Sequence, residues 1–183
     1  MIIIFLDIDG VLFYNPMDGM VHKRVAERLE GKDVPKPYPA IEFDRAAIDL
    51  FDKSSLHYFD KLIADIIQQT QQEVGIVLSS NWRIGYSLEE LQDLFKQHAF
   101  SKYLIDKTPD LEDGLRGGEI AQRLKEHREE YQVSCFVILD DIDSGLSKNF
   151  PEAFVKFSHL TLFRDEEYKQ ALNVVLKGTA SQA

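Results

Sequence analysis

Two aspartates one residue apart, Asp7 and Asp9, close the apolar run Ile2 to Leu6. Two further apolar runs also end in polar residues. Val74 to Leu78 is followed by Ser79 and Ser80, and Cys135 to Leu139 by Asp140 and Asp141, with Asp143 just beyond. If the three runs are parallel strands, all of these side chains meet at one edge. Five carboxylates in a small volume repel one another, and a cation among them relieves the repulsion. The donors are all oxygen, with no Cys or His in the set, which predicts Mg²⁺ rather than Zn²⁺.

The elements that must position these residues follow from hydrophobic period. The three runs are rich in Ile, Val and Leu without alternation, as expected of strands covered by helices on both faces. Tyr103 to Ile105 and Ala153 to Phe157 are weaker strand candidates. Leu56 to Gln72, a helix capped by Ser87 with Glu90 as its capping-box partner, Gly118 to Tyr131, and Asp165 to Leu176 carry helical stripes. Alternating strands and helices predict an α/β fold with a parallel sheet. Ligands of such sheets bind beyond the carboxyl ends of the strands. The Pro- and Gly-rich segment 14–44, with one short helix expected at Val21 to Leu29, reads as an insertion over that edge. Residues 1–177 are expected to form a single domain and 178–183 a frayed tail.

The chain has 183 residues, enough for one domain with a sizeable core. A formal charge of −10 argues against broad neutralisation of a nucleic-acid backbone, though a nucleotide or a nucleic-acid end is still allowed as substrate. The single cysteine, Cys135, excludes a disulfide framework within the chain and reads as a buried core residue. The five histidines lack metal spacing and read as surface residues. No stretch approaches the roughly 18 apolar residues of a membrane span. The default expectation is a cytoplasmic protein; one exported by a signal-independent route would look the same.

The strand followed by Asp7-Ile8-Asp9-Gly10-Val11-Leu12 resembles the first motif of the haloacid dehalogenase superfamily, most of whose members are phosphatases. The strand ending in Ser79 is similar to the second motif, and the strand ending in Asp140-Asp141 to the fourth. Leu78-Ser79-Ser80-Asn81-Trp82-Arg83 and Arg116-Gly117-Gly118-Glu119-Ile120 resemble a little-characterised branch that has a small insertion in place of a large cap. The resemblance implies a Rossmannoid three-layer sandwich and a Mg²⁺-dependent phosphomonoesterase. Asp7 would be the nucleophile and form an aspartyl-phosphate; Asp9 would be the general acid and base. Ser79, preferred over Ser80, would hold the transferring oxygens, with Ser80, Asn81, Arg83 and Gly10 around the phosphate. Asp7, Asp9 (through its carbonyl), Asp140, Asp141 and Asp143 would serve the metal or its waters. The superfamily's third motif supplies a Lys or Arg. Arg116 is preferred over Lys125 and Lys107, because it opens a helix and adds its charge near that helix's positive end.

Several of these residues have plainer readings. Trp82 could stack on a substrate ring or pack under the loop. Arg83 could bind phosphate or pair with a carboxylate inside the protein, and Asp143 could cap Ser144 to Lys148. A small insertion leaves the site open to a macromolecular end, a phosphoprotein or an exposed nucleotide, while the acidic chain favours a phosphorylated small molecule, the expected substrate. The competing function is a non-catalytic binding or scaffold module that keeps the fold and the metal site.

Overall fold

Strand β1 (Ile2–Leu6) has no polar side chain and is buried throughout, as is β2 (Val74–Leu78). Strand β4 (Cys135–Asp140) is almost as fully covered. Between and after them the chain forms β3 (Leu104–Lys107), β5 (Phe154–Lys156) and helices α1 (Lys53–Thr70), α2 (Leu88–Phe95), α3 (Arg116–His127), α4 (Leu146–Asn149) and α5 (Asp165–Ala180). The structure, a computed structural model, describes residues 1–14, 46–112 and 114–180. Apart from Tyr14, the expected insertion and its helix Val21 to Leu29 lie outside the described residues, and so does His22.

All four strand pairings are parallel, in the order β3-β2-β1-β4-β5. Strand side chains alternate between faces. Ile2, Ile4 and Leu6 point into a core shared with α1, α2 and α5, through Phe59, Leu62, Leu91, Phe95 and Val175. Ile3 and Phe5 point the other way, with Val77 and Ile138, against Ile120 of α3 and Leu146 of α4. Helices therefore cover both faces, the three-layer α/β arrangement that the run pattern predicts. Each fully buried Leu, Ile or Phe contributes roughly 1.5–3 kcal/mol.

Local chemistry sets the helix starts. Asp52 accepts from the Ser55 N–H at 2.8 Å and caps α1. Ser87 and Glu90 form the expected capping box of α2. The differences from expectation are small and physical. Tyr103 closes a 3₁₀ turn, Ala99–Tyr103, so β3 begins one residue later. Gly178 to Ala180 belong to α5 rather than to a tail, because Gly178 packs tightly on β4. A Cβ there would lie 2.4 Å from Cys135 Sγ, itself buried. His98 is no surface residue; its ring stacks between Phe51 and Phe100 at 5.1 and 5.7 Å. Among the described residues, no helix is long and apolar enough to cross a membrane.

Candidate active site at the carboxyl edge of the sheet

The ladder runs one residue past the strands. Asp7 N–H donates to Leu139 O at 3.0 Å, Ser79 N–H to Leu6 O at 2.9 Å and Thr108 N–H to Leu78 O at 3.0 Å. These bonds put Thr108, Ser79, Asp7 and Asp140 side by side in one row. Alternation from Phe5, Val77 and Ile138 directs the row to the α3 face of the sheet. Arg116, the first residue of α3, sits above it.

Asp7, Asp140 and Asp141 bring one carboxylate oxygen each to within 4.8 Å of one another. Asp7 and Asp140 are 4% and 1% exposed. Burial is the main force holding both carboxyls above the usual carboxylate range, and each charge also disfavours its acidic neighbours. Burial raises Asp141 as well. Arg116 opposes the effect: Nη2 lies 3.8 Å from Asp7 Oδ1 and Nε 3.4 Å from Asp140 Oδ2.

Three buried atoms at this spot have no hydrogen-bond partner among the described residues: Ser79 Oγ, Arg116 Nη1 and Asp140 Oδ2. Buried polar atoms are normally paired. The acceptor lies in the acidic cluster and fits a hard cation held by oxygen. The hydroxyl and the guanidinium nitrogen beside it fit an anion. The residues thus suit a divalent cation and a phosphate group side by side.

Other candidates take different places. Asp143 is outside the metal cluster. Its two oxygens accept the Ser147 N–H at 3.0 Å and hydroxyl at 2.5 Å, so it caps the α4 turn. The Asp9 carboxylate is also outside the cluster and accepts the Trp82 indole N–H. Gly10 is no phosphate donor, since its N–H donates to Phe13 O at 2.7 Å. What Gly10 provides is room. Its φ is +76°, and a Cβ there would lie 2.2 Å from Asp141 Oδ2. We predict that Gly10→Ala lowers stability by at least roughly 1–2 kcal/mol from the backbone alone, a melting shift of about 2–8 °C by calorimetry.

Arg83 is the largest correction among the phosphate candidates. It is 2% exposed, and its five N–H donors have protein partners. Nε donates to Thr108 O at 3.0 Å, Nη1 to Ser79 O and Ser80 O at 3.1 and 3.0 Å, and Nη2 to Pro109 O at 2.9 Å. Nη2 also meets Glu119 Oε1 at 2.6 Å. The guanidinium is a tie beneath the site and offers nothing to a ligand. Trp82 is 8% exposed and packs under the loop against Phe13, Phe51 and Phe95. Ser80 hydrogen-bonds Asp7 through its hydroxyl and accepts the Trp82 N–H, while Asn81 Oδ1 accepts from Arg116 Nη2 at 3.5 Å. Of the three third-motif candidates, only Arg116 reaches the acids. Lys107 Nζ donates to the carbonyls of Arg83 and Tyr86, and Lys125 is exposed on α3.

Two supporting residues were not singled out from the sequence. Glu119 lies three residues after Arg116, hence on the same helix face, and anchors Arg83. That spacing was a legible signal. Ser144 was not legible. Its hydroxyl accepts the Arg116 N–H at 3.0 Å and its carbonyl the Gly117 N–H at 3.1 Å, pinning α3 to the loop after β4.

The large apolar residues that stay exposed among the described ones are Tyr14, Ile84, Leu115, Ile142 and Leu160. Each lies on a connection leaving the carboxyl end of a strand, the edge that carries the site. The chain matches no curated protein and no solved structure. Residues 3–168 do match the family model described as HAD domain in Swiss Army Knife RNA repair proteins. That span runs from β1 into α5 and contains every site residue above, and the chain belongs to this family, within the haloacid dehalogenase superfamily.

Proposed function

We propose that this chain is a Mg²⁺-dependent phosphomonoester hydrolase working through an aspartyl-phosphate on Asp7. Membership of the superfamily makes a hydrolase the expected class. The observation that carries the reading is the adjacency of a three-aspartate cluster to unpartnered, buried Ser79 Oγ and Arg116 Nη1. Cation ligands and anion donors converge on one carboxylate, Asp7.

Asp7, Asp140 and Asp141 would hold the metal, with the Asp9 carbonyl. Bound there, Mg²⁺ neutralises charge on the transferring phosphoryl group and on the aspartates. An Asp7 carboxylate oxygen attacks phosphorus, and the bond from phosphorus to the leaving oxygen breaks. Asp9 gives its proton to that oxygen. Asp9 then takes a proton from water, the water oxygen attacks phosphorus, and the Asp7–phosphorus bond breaks to release phosphate. Ser79 Oγ and Arg116 Nη1 hold the non-bridging oxygens throughout, with Ser80 and Asn81 orienting Asp7 and Arg116.

The substrate is a phosphorylated small molecule or a phosphorylated nucleic-acid end. The family's description, with its RNA repair proteins, supports the second. The exposed apolar residues around the site would suit unstacked bases, and the charge of −10 favours an end over an extended duplex. The test is phosphate release from p-nitrophenyl phosphate, a phosphometabolite panel, and 3′- and 5′-phosphorylated oligoribonucleotides, with Mg²⁺ or with chelator. Mg²⁺-dependent release is the expected result. No release from any substrate, with Mg²⁺ and BeF₃⁻ still bound, would instead support a non-catalytic binding module.

A further inference from the structure

The chain has a single tryptophan, Trp82, and its indole Nε1 lies 3.1 Å from both Oδ1 and Oδ2 of Asp9. One N–H is shared between the two oxygens of the proposed acid and base. The ring that carries it has little freedom. It meets Phe13 and Phe51 edge-on at 5.7 and 5.6 Å, and tilts against Phe95 at 6.0 Å. Its backbone is held as well: the Trp82 N–H donates to Ser80 Oγ, and the next residue is the fully engaged Arg83.

We propose that Trp82 is a positioning residue for Asp9, fixing the carboxyl group that serves the leaving oxygen. The inference rests on the phosphatase reading above. The chemistry of the contact suits the two-step role. Indole N–H is a neutral donor and cannot accept a proton. The N–H lies equidistant from the two oxygens, so it fixes the plane of the carboxyl group through both proton transfers. A fixed neutral donor orients the group without taking up its proton.

Trp82→Phe tests this, because it keeps an aromatic ring in the Phe13–Phe51–Phe95 cluster and deletes the N–H. The expected reading depends on the leaving group. An alkyl phosphomonoester such as glycerol 2-phosphate needs the acid, and its kcat/KM, which reports the steps up to departure of the leaving group, falls by about 10- to 100-fold, part of what general acid catalysis supplies. p-Nitrophenolate leaves without a proton, so its kcat/KM changes by no more than about threefold. Asp9→Asn shows the same selectivity in kcat/KM more strongly, while kcat falls on both esters because hydrolysis of the aspartyl-phosphate loses its base, and adding Trp82→Phe to it costs nothing further in kcat/KM on the alkyl ester. A substrate-free readout accompanies this. The single indole N–H resonance in the ¹⁵N-labelled protein moves on Asp9→Asn. An equal fall in kcat/KM for both esters, no fall for either, or an unmoved indole resonance overturns the inference and leaves the phosphatase reading intact. A wild type that turns over no phosphomonoester removes both.

Discussion

Asp7→Asn is expected to lose at least about three orders of magnitude in phosphate release, the scale seen when a covalent nucleophile is removed. An amide at this position cannot form the acyl-phosphate, and no other carboxylate stands between Ser79 and Asp140 in the row to replace it. The variant also carries an internal control against misfolding. Burial holds the Asp7 carboxyl up at about 6, above its ordinary 3.8. A carboxylate whose folded-state pKa is raised destabilises the fold when ionised. The penalty is absent below about pH 4, grows as pH climbs and is complete above the folded value, the reverse of a salt-bridged aspartate. Asp7→Asn in chelator should therefore melt higher than wild type at pH 8, by roughly 2–6 °C, with the gain vanishing near pH 4. Lost turnover with a raised melting point identifies a chemical defect. Lost turnover with a lowered one points to damage to the fold, and unchanged turnover refutes the nucleophile.

Glu119→Ala is expected to have the largest effect on stability. Both partners of the Arg83–Glu119 pair are nearly inaccessible, with side chains 2% and 4% exposed. Removing the acid leaves a buried guanidinium hydrogen-bonded only to neutral carbonyls, with Asp110 as a weaker opposing charge. Breaking such a pair from one side costs about 3–5 kcal/mol, because the surviving buried charge loses its directly paired partner. For a chain of this size that is roughly 6–20 °C in melting temperature. Arg83 ties the ends of β2 and β3 to the first turn of α3, so the loss should also loosen the loop that carries Ser79 and Ser80 and the helix end that carries Arg116. A change below about 1 kcal/mol, measured by denaturant unfolding, would mean that water or another residue replaces the acid.

The same pair explains why two segments distant in sequence belong together. Arg83 lies in Leu-Ser-Ser-Asn-Trp-Arg and Glu119 in Arg-Gly-Gly-Glu-Ile, and they meet as one buried ion pair. Trp82, from the first segment, reaches Asp9 of the opening motif, and Asn81 touches Arg116 of the second. The two segments form an interlocking support around one carboxylate row.

The apolar runs alone determined the three central strands, because a strand covered on both faces must be apolar at every position and few other segments tolerate that. They also determined which residues stand at the carboxyl edge. Once Leu6, Leu78 and Leu139 pair in parallel register, Asp7, Ser79 and Asp140 follow as neighbours. What the sequence could not decide was how each polar side chain is used. Arg83, Asp143 and Gly10 all lie next to the site in sequence, yet their donors or acceptors are spent on Glu119, Ser147 and Phe13. Such choices depend on distances between elements far apart in the chain, and on which donors burial leaves without an alternative. Asp7 and Asp9 look equivalent as a short acidic motif. The tertiary structure separates them, because the first faces α3 and the acidic cluster, while the second is turned to the indole of Trp82.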